Sequence, residues 1–213
     1  MRNGKLVLEE TFETIDMMLN MGPQHPATHG VFRMMLTVDG EQVLDVTPHI
    51  GYLHRGSEKL AEERTYSQIV TLTDRMDYVS SMLNNQAYIL AVEKLCNIVP
   101  SPRGVWLRMI ASELQRIASH FVATGFLLQD LGALGTPLIY CMRERENILD
   151  LFEMLCGARI TNSYLRPGGV FMDAPEVFWP ALNRSLGDIE KSIDEIEEYL
   201  SGNEIIFSRT KGT

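Results

Sequence analysis

Near Gly56 the apolar residues change their spacing, and that change divides the chain into two kinds of structure. Upstream, "VFRMMLTVDGEQVLDV" (31–46) sets two apolar runs around Asp39-Gly40, a dipeptide that favours the primed turns joining antiparallel strands. "MMLNM" (17–21) supplies a further strand, so residues 1–50 read as a small antiparallel sheet. Downstream the period becomes helical. Ser57–Arg64 reads as a short helix, and Met82–Cys96 as a second with Ala87, Leu90, Ala91 and Leu95 on one face. A third opens at Ser101-Pro102, a good cap and first-turn pair, and Trp106, Ile110, Leu114, Ile117 and Phe121 follow the spacing of a buried stripe. Thr136-Pro137 opens a fourth that stops at Gly157. A last helix, about 175–201, carries Ile189, Ile193, Ile196 and Leu200 on one face. Residues 51–213 therefore read as part of a helical bundle. The expected class is α+β, mainly helical. The ending "FSRTKGT" offers no turn or cap, and the bundle is expected to be cut short there.

Composition narrows the function classes. Apolar residues make up 45% and charged residues 22% of 213, as in a packed globular protein. A net charge of −9 argues against non-specific nucleic-acid binding. Cys96, Cys141 and Cys156 are far apart with no C-x-x-C, which points to a reducing compartment and away from a cysteine metal site. The first sixteen residues lack an apolar core and do not read as a signal peptide. No window approaches the ~20 apolar residues of a membrane-spanning helix. Twelve methionines suit irregular gaps and adaptable interfaces.

The residues with chemical promise lie in the connections. "GPQHPATHG" (22–30) packs two histidines, two prolines and two glycines into nine residues. His25 and His29 have the i, i+4 spacing of a helical zinc pair, but Pro23 and Pro26 make a helix there unfavourable. Further candidates are His49 and His54 in "PHIGYLHRG", Arg75, Asp77 and Tyr78 in "TDRMDY", and Asp130 in "LQDLG". Loops on a rigid scaffold commonly carry function, although spacing alone favours a structural role for each. "RPGGV" lacks the Lys-Ser/Thr of a phosphate loop, and no G-x-S-x-G occurs. "RERE" (143–146) reads as an ion-paired or solvated helix face, and His120 as a structural histidine.

Several of these segments occur together and in order. "GPQHPATHG", "PHIGYLHRGSEKLAEERTY", "DRMDYVSSMLNNQAY", "ELQRIASH", "LQDLGALGTP", "RERENILDLFE", "CGAR" and "YLRPGGV" resemble the D-subunit family of NADH-quinone oxidoreductase, respiratory complex I. The resemblance runs from about residue 17 to the end and covers the family's N-terminal half. It implies a fold like the large subunit of nickel–iron hydrogenases. Where those enzymes carry R-x-C-G-x-C, this chain reads Arg75-Met76-Asp77-Tyr78-Val79-Ser80. Without soft thiolates no nickel is expected there, and no metal site is expected elsewhere in the chain.

By resemblance, the chain binds quinone within a translocase that reduces quinone and moves ions. Electrons would come from a terminal iron–sulfur cluster in the neighbouring B subunit, with NAD bound elsewhere in the complex. His29 and Tyr78 would contact the quinone oxygens, since an imidazole and a phenol can both donate near neutral pH. Asp130 matches the family's aspartate partner of that histidine, and a carboxylate favours the charged imidazole and fixes its orientation. Arg55 matches a family arginine near the cluster. One departure stands out: after "CGAR" many relatives have an apolar residue and then histidine, whereas this chain has Ile160-Thr161. The B, C and H subunits are the implied partners, on the cytoplasmic side of a bacterial or archaeal inner membrane, with no nucleic acid. Three other readings compete with this one. A membrane-bound hydrogenase large subunit would need the missing cysteines. A non-catalytic scaffold is disfavoured by the presence of His29 and Tyr78. A stand-alone histidine metalloprotein rests only on four histidines in two loops.

Overall fold

The computed structural model describes residues 15–133 and 135–212. The chain divides into two compact units, residues 1–59 and residues 60–213. It is α+β: a small antiparallel sheet followed by helices.

In the first unit, strands β1 (Met17–Met21), β2 (Arg33–Asp39) and β3 (Gln42–His49) form one antiparallel sheet in the order β1-β2-β3. Leu19 pairs with Leu36, and Leu36 with Val46. The β2–β3 hairpin closes over Gly40 and Glu41, with Gly40 at φ 58°, so the turn falls one residue later than the Asp39-Gly40 reading implied and glycine takes its first position. A bulge between Thr37 and Val38 shifts the register. The central strand supplies the buried residues Leu36 and Val38. Helix α1 (Ser57–Glu62) follows, shorter than the expected Ser57–Arg64.

The second unit is built around α4 (Pro102–Asp130), which packs on α5 (Thr136–Cys156) and α3 (Ser81–Cys96), while α6 (Phe178–Ser201) packs on α5. Ser101 caps α4 as expected, its Oγ accepting from Gly104 N at 3.1 Å. Gly157 ends α5 with φ 73°. Gly125 permits the close α4–α5 crossing: a Cβ there would meet Leu138 Cδ1 at 2.9 Å and Cys141 Cβ at 3.2 Å. Helices α2 (Tyr66–Thr73) and α7 (Glu204–Thr210) and the short hairpin β4 (Leu165–Arg166)–β5 (Gly169–Val170) add to the elements expected from the sequence. The core joins Val70, Met82, Ile89, Ala111, Ile148, Phe152, Tyr164 and Phe178, among others.

Three expected faces change. In α3 the stripe Ala87, Leu90, Ala91, Leu95 is largely exposed, and the buried row is Met82, Asn85, Ile89, Val92, Glu93. In α4 Trp106 is exposed, and the packed row runs through Leu107, Ala111, Leu114, Ala118 and Phe121. The opening fourth-residue steps from Trp106 to Leu114 drift around a 3.6-residue helix, so only part of the proposed stripe faces inward. In α6 Ile189 and Ile196 are buried while Ile193 is exposed. The reason for the α3 change is polar pairing. Glu93 is buried because Arg108 of α4 meets it with two hydrogen bonds, Nη2–Oε1 at 2.6 Å and Nη1–Oε2 at 3.1 Å. The same guanidinium donates Nε to Gly169 O at 2.7 Å, and Gly168 N donates to Glu93 Oε1 at 2.7 Å. One ion pair thus ties α3, α4 and the β4–β5 turn. The contact is close because residue 104 is glycine: a Cβ there would meet Gly169 Cα at 2.9 Å.

Candidate functional site

The segment 22–30 forms a tight loop whose fixed point is Thr28. This residue is 1% exposed. Its Oγ1 lies 2.9 Å from Pro23 O and 3.0 Å from His25 O. Its carbonyl accepts from both Val31 N and Phe32 N at 3.1 Å. Pro26–Thr28 forms one 3-10 turn, a correction to the expectation of no helix, because proline is tolerated in a first turn. His25 caps it, with Nδ1 accepting from Ala27 N at 3.1 Å. His29 ends it in the left-handed region, φ 52° and ψ 19°, and is exposed. Its imidazole makes no hydrogen bond among the described residues. A non-glycine residue held at positive φ is uncommon and marks a position over-determined by its surroundings. Arg55 lies in the same unit, in a shallow groove of about 480 Å³ lined by Leu53 to Lys59.

Tyr78 and Asp130 belong to the second unit. Tyr78 sits on the turn between α2 and α3, which two long-range bonds and several local ones hold. Gln115 of α4 donates Nε2 to Val79 O at 2.7 Å. Ser80 Oγ lies 3.0 Å from Ser119 Oγ. Asn84 Nδ2 donates to Asp77 O at 2.9 Å, and Ser80 N donates to the same carbonyl at 3.0 Å. Asp77 Oδ1 accepts from Val79 N at 3.2 Å. These bonds hold the turn, and the side chains of Met76 and Tyr78 stand out at 59% and 60% exposure. Asp77 and Ser80 are both engaged in holding this turn.

Asp130 is the last residue of α4, with an exposed side chain and a carbonyl that accepts from Arg209 Nη1 at 3.2 Å. It lies eleven residues beyond Ser119, about 16 Å along the helix at ~1.5 Å per residue. The Tyr78 turn and Asp130 therefore attach to different stretches of α4, and His29 and Asp130 lie in different units. Thr161 holds φ 52° in the segment between α5 and β4. His120 is exposed and borders an apolar cleft of about 270 Å³ with Phe121, Cys141, Ile193 and Ile196. In "RERE", Arg143 pairs with Glu144 at 2.6 Å, but Glu144 is buried rather than solvated. No group of three or more His, Cys, Asp or Glu among the described residues is placed to hold a metal.

A model of the 49-kDa subunit of respiratory-chain NADH dehydrogenase matches residues 130–213. The D subunit of NADH-quinone oxidoreductase from Dehalococcoides mccartyi is 54% identical over 200 residues, covering 94% of this chain and 54% of the relative. The D subunit from Clostridium beijerinckii is 52% identical, covering 96% and 55%. Subunit 4 from Thermus thermophilus is 53% identical, covering 92% and 48%. The chain belongs to the D-subunit family of NADH-quinone oxidoreductase. It spans about half the length of the curated relatives it matches.

Within this D-subunit chain, sequence reasoning finds the exposed residues and misses what holds them. Asp74 is fully buried and accepts on Oδ1 from Asn85 Nδ2 and from Ser163 N at 3.2 Å. Thr73 Oγ1 lies 2.6 Å from Asn85 Oδ1. The one signal for this network is Asn85 itself, a polar residue on the same helical row as Met82 and Ile89.

Proposed function

We propose that the chain is the quinone-binding part of its subunit. Quinone takes up two electrons and two protons to become quinol. The electrons arrive from a terminal iron–sulfur cluster held by the neighbouring B subunit, and NAD is used elsewhere in the complex. His29 and Tyr78 present hydrogen-bond donors to the two quinone oxygens, with Asp130 orienting the imidazole and Arg55 near the cluster. Ion translocation is coupled to this reduction in other subunits, with the B, C and H subunits as neighbours. No helix among the described residues is long and apolar enough to cross a membrane, which fits a peripheral arrangement; the cytoplasmic side of the inner membrane is assigned on the family resemblance alone.

The observation that carries the reading is the setting of Tyr78. Its turn is fixed from α3 and α4, and its phenol is left exposed. A hydroxyl held this way can meet a ligand oxygen without reorganising its support, the arrangement in which a donor contributes most to a reaction. The test uses assembled complexes carrying Tyr78→Phe, which removes one hydroxyl and keeps the ring. Quinone reduction is expected to fall ~10–1000-fold, while electron transfer from donor to an artificial acceptor upstream persists. His29→Ala should also lower quinone turnover with assembly intact. Normal quinone turnover in both complexes would overturn the reading.

A further inference from the structure

Beneath the Tyr78 turn lies a carboxyl group that the quinone reading does not use. Asp74 is 0% exposed, and both of its donors, Asn85 Nδ2 and Ser163 N, reach Oδ1. Oδ2 has no hydrogen-bond partner among the described residues. Asn162, next to Ser163, is 4% exposed and donates Nδ2 to Ala158 O at 2.7 Å, yet its Oδ1 also lacks a partner. Asp74 Oδ2 is therefore a buried acceptor left short of a donor. A buried carboxylate oxygen left without a donor is costly, and such groups neutralise instead. A proton on Oδ2 removes the charge and leaves both bonds to Oδ1 in place.

The surrounding charges bear on this. Burial pushes the Asp74 carboxyl up, against the bonds from Asn85 and Ser163 and the positive fields of Arg75 and Arg166. Neither guanidinium reaches Oδ2. Arg75 Nη1 donates to Thr71 O at 2.7 Å, and Arg166 Nη1 is 3.1 Å from Ser163 Oγ and 2.9 Å from Leu165 O. Cys156 at the end of α5 is the other titratable neighbour, and burial holds its thiol up as well.

We propose that Asp74 carries a proton on Oδ2 in the folded protein at neutral pH and in that form is a positioning residue for Tyr78. The positioning half rests on the reading of Tyr78 given above. Thr73 and Asp74 begin the turn, and through Asn85 and Ser163 they fix its near end to α3 and to the segment before β4. Ionisation would leave an unpaired charge under the turn. A carboxyl raised in this way adds stability that is complete below the ordinary carboxylate range and is lost as pH rises through its folded value. Quinone turnover should therefore decline on the alkaline side.

Assembled complexes of the wild type, Asp74→Asn and Asp74→Ala test both halves. The infrared difference between wild type and Asp74→Asn at neutral pH should contain the carbonyl band of a protonated carboxylic acid. A carboxylate band in its place overturns the proton, and this readout is independent of quinone. The ratio of quinone reduction to artificial-acceptor transfer should fall with rising pH in the wild type and stay flat in Asp74→Asn, whose amide copies the neutral acid. Asp74→Ala should lose about 100-fold in that ratio through misplacement of the turn. An Asp74→Asn complex as impaired as Asp74→Ala overturns the positioning role. So does a Tyr78→Phe complex with normal quinone turnover, which also removes the Tyr78 reading while leaving the infrared result to stand.

Discussion

The His29 loop and the Tyr78 turn present exposed side chains in opposite ways. The bonds that hold the His29 loop are short-range in sequence, and most of them converge on Thr28. The Tyr78 turn is held from a distance, by Gln115 and Ser119 of α4 and by Asn84 of α3. A locally closed loop can open without disturbing its unit, because the groups it releases are its own. A turn held from two helices shares their stability, and local opening there costs as much as loosening the helices. The two sites should therefore answer mutation differently, and that difference can be broken by experiment.

The largest effect is expected from the distributed side. Glu93→Ala leaves Arg108 buried without its partner and strips Gly168 N of its acceptor. Removing one member of a buried pair costs about 3–5 kcal/mol. Hydrogen exchange measured on the assembled complex should rise together in α3, α4 and the β4–β5 hairpin. An increase confined to residues 165–170 would contradict shared stability. The pair also sets an acid dependence. The Arg108 guanidinium holds the Glu93 carboxyl below the usual carboxylate range, with burial opposing and Gly168 N assisting. Its stability is therefore present above that range and lost as pH falls through the depressed folded value. Glu93→Gln should flatten this loss in an acid-denaturation series, and an unchanged acid limb would remove Glu93 from the account.

A smaller, local effect is expected at Gly22. It holds φ 88°, and a Cβ there would stand 2.1 Å from Phe32 O. Forcing a side chain into such backbone costs on the order of 1–3 kcal/mol. Gly22→Ala should raise exchange across residues 22–32 while α3 and α4 keep their protection. If His29 serves the quinone, turnover should fall with the loop. Equal loss of protection in both units would show that the loop is not closed on itself.

The same contrast explains what is legible in the sequence. The hairpin, the α4 and α5 starts and the α5 stop can be read because their signals are local: Asp39-Gly40, Ser101-Pro102, Thr136-Pro137 and Gly157 act on their own backbone. The buried face of α3 cannot, because it depends on partners far along the chain. Counting apolar residues selects Leu90 and Leu95, whereas the core takes Asn85 and Glu93 once Asp74 and Arg108 satisfy them. His29 and Tyr78 are visible as unusual residues in connecting segments, and the roles proposed for them come from the family resemblance. Of the buried Asp74–Asn85–Ser163 network only Asn85 gives a signal, since its members are 74, 85 and 163 in the chain and no period links them.

The smallest and most discriminating prediction concerns Thr28. Thr28→Val keeps the volume and the branch and removes one hydroxyl. Pro23 O and His25 O then lose their contacts with Oγ1, although His25 O still accepts from Thr28 N at 3.1 Å. With one carbonyl left short of a donor, the expected cost is about 1 kcal/mol. Because Thr28 directly precedes His29, the cost should fall on the pose of the imidazole rather than on the fold. The measurable consequence is a rise in quinone KM or a fall in turnover in the assembled complex, with donor-to-artificial-acceptor transfer unchanged and exchange altered only across residues 22–32. Tyr78→Phe added to Thr28→Val should multiply the two losses if the residues act on one ligand through separate supports. A Thr28→Val complex with normal quinone turnover, together with a double variant no worse than Tyr78→Phe alone, would show that the loop has no part in the reaction that Tyr78 serves, and the loop would then be a structural feature of the sheet.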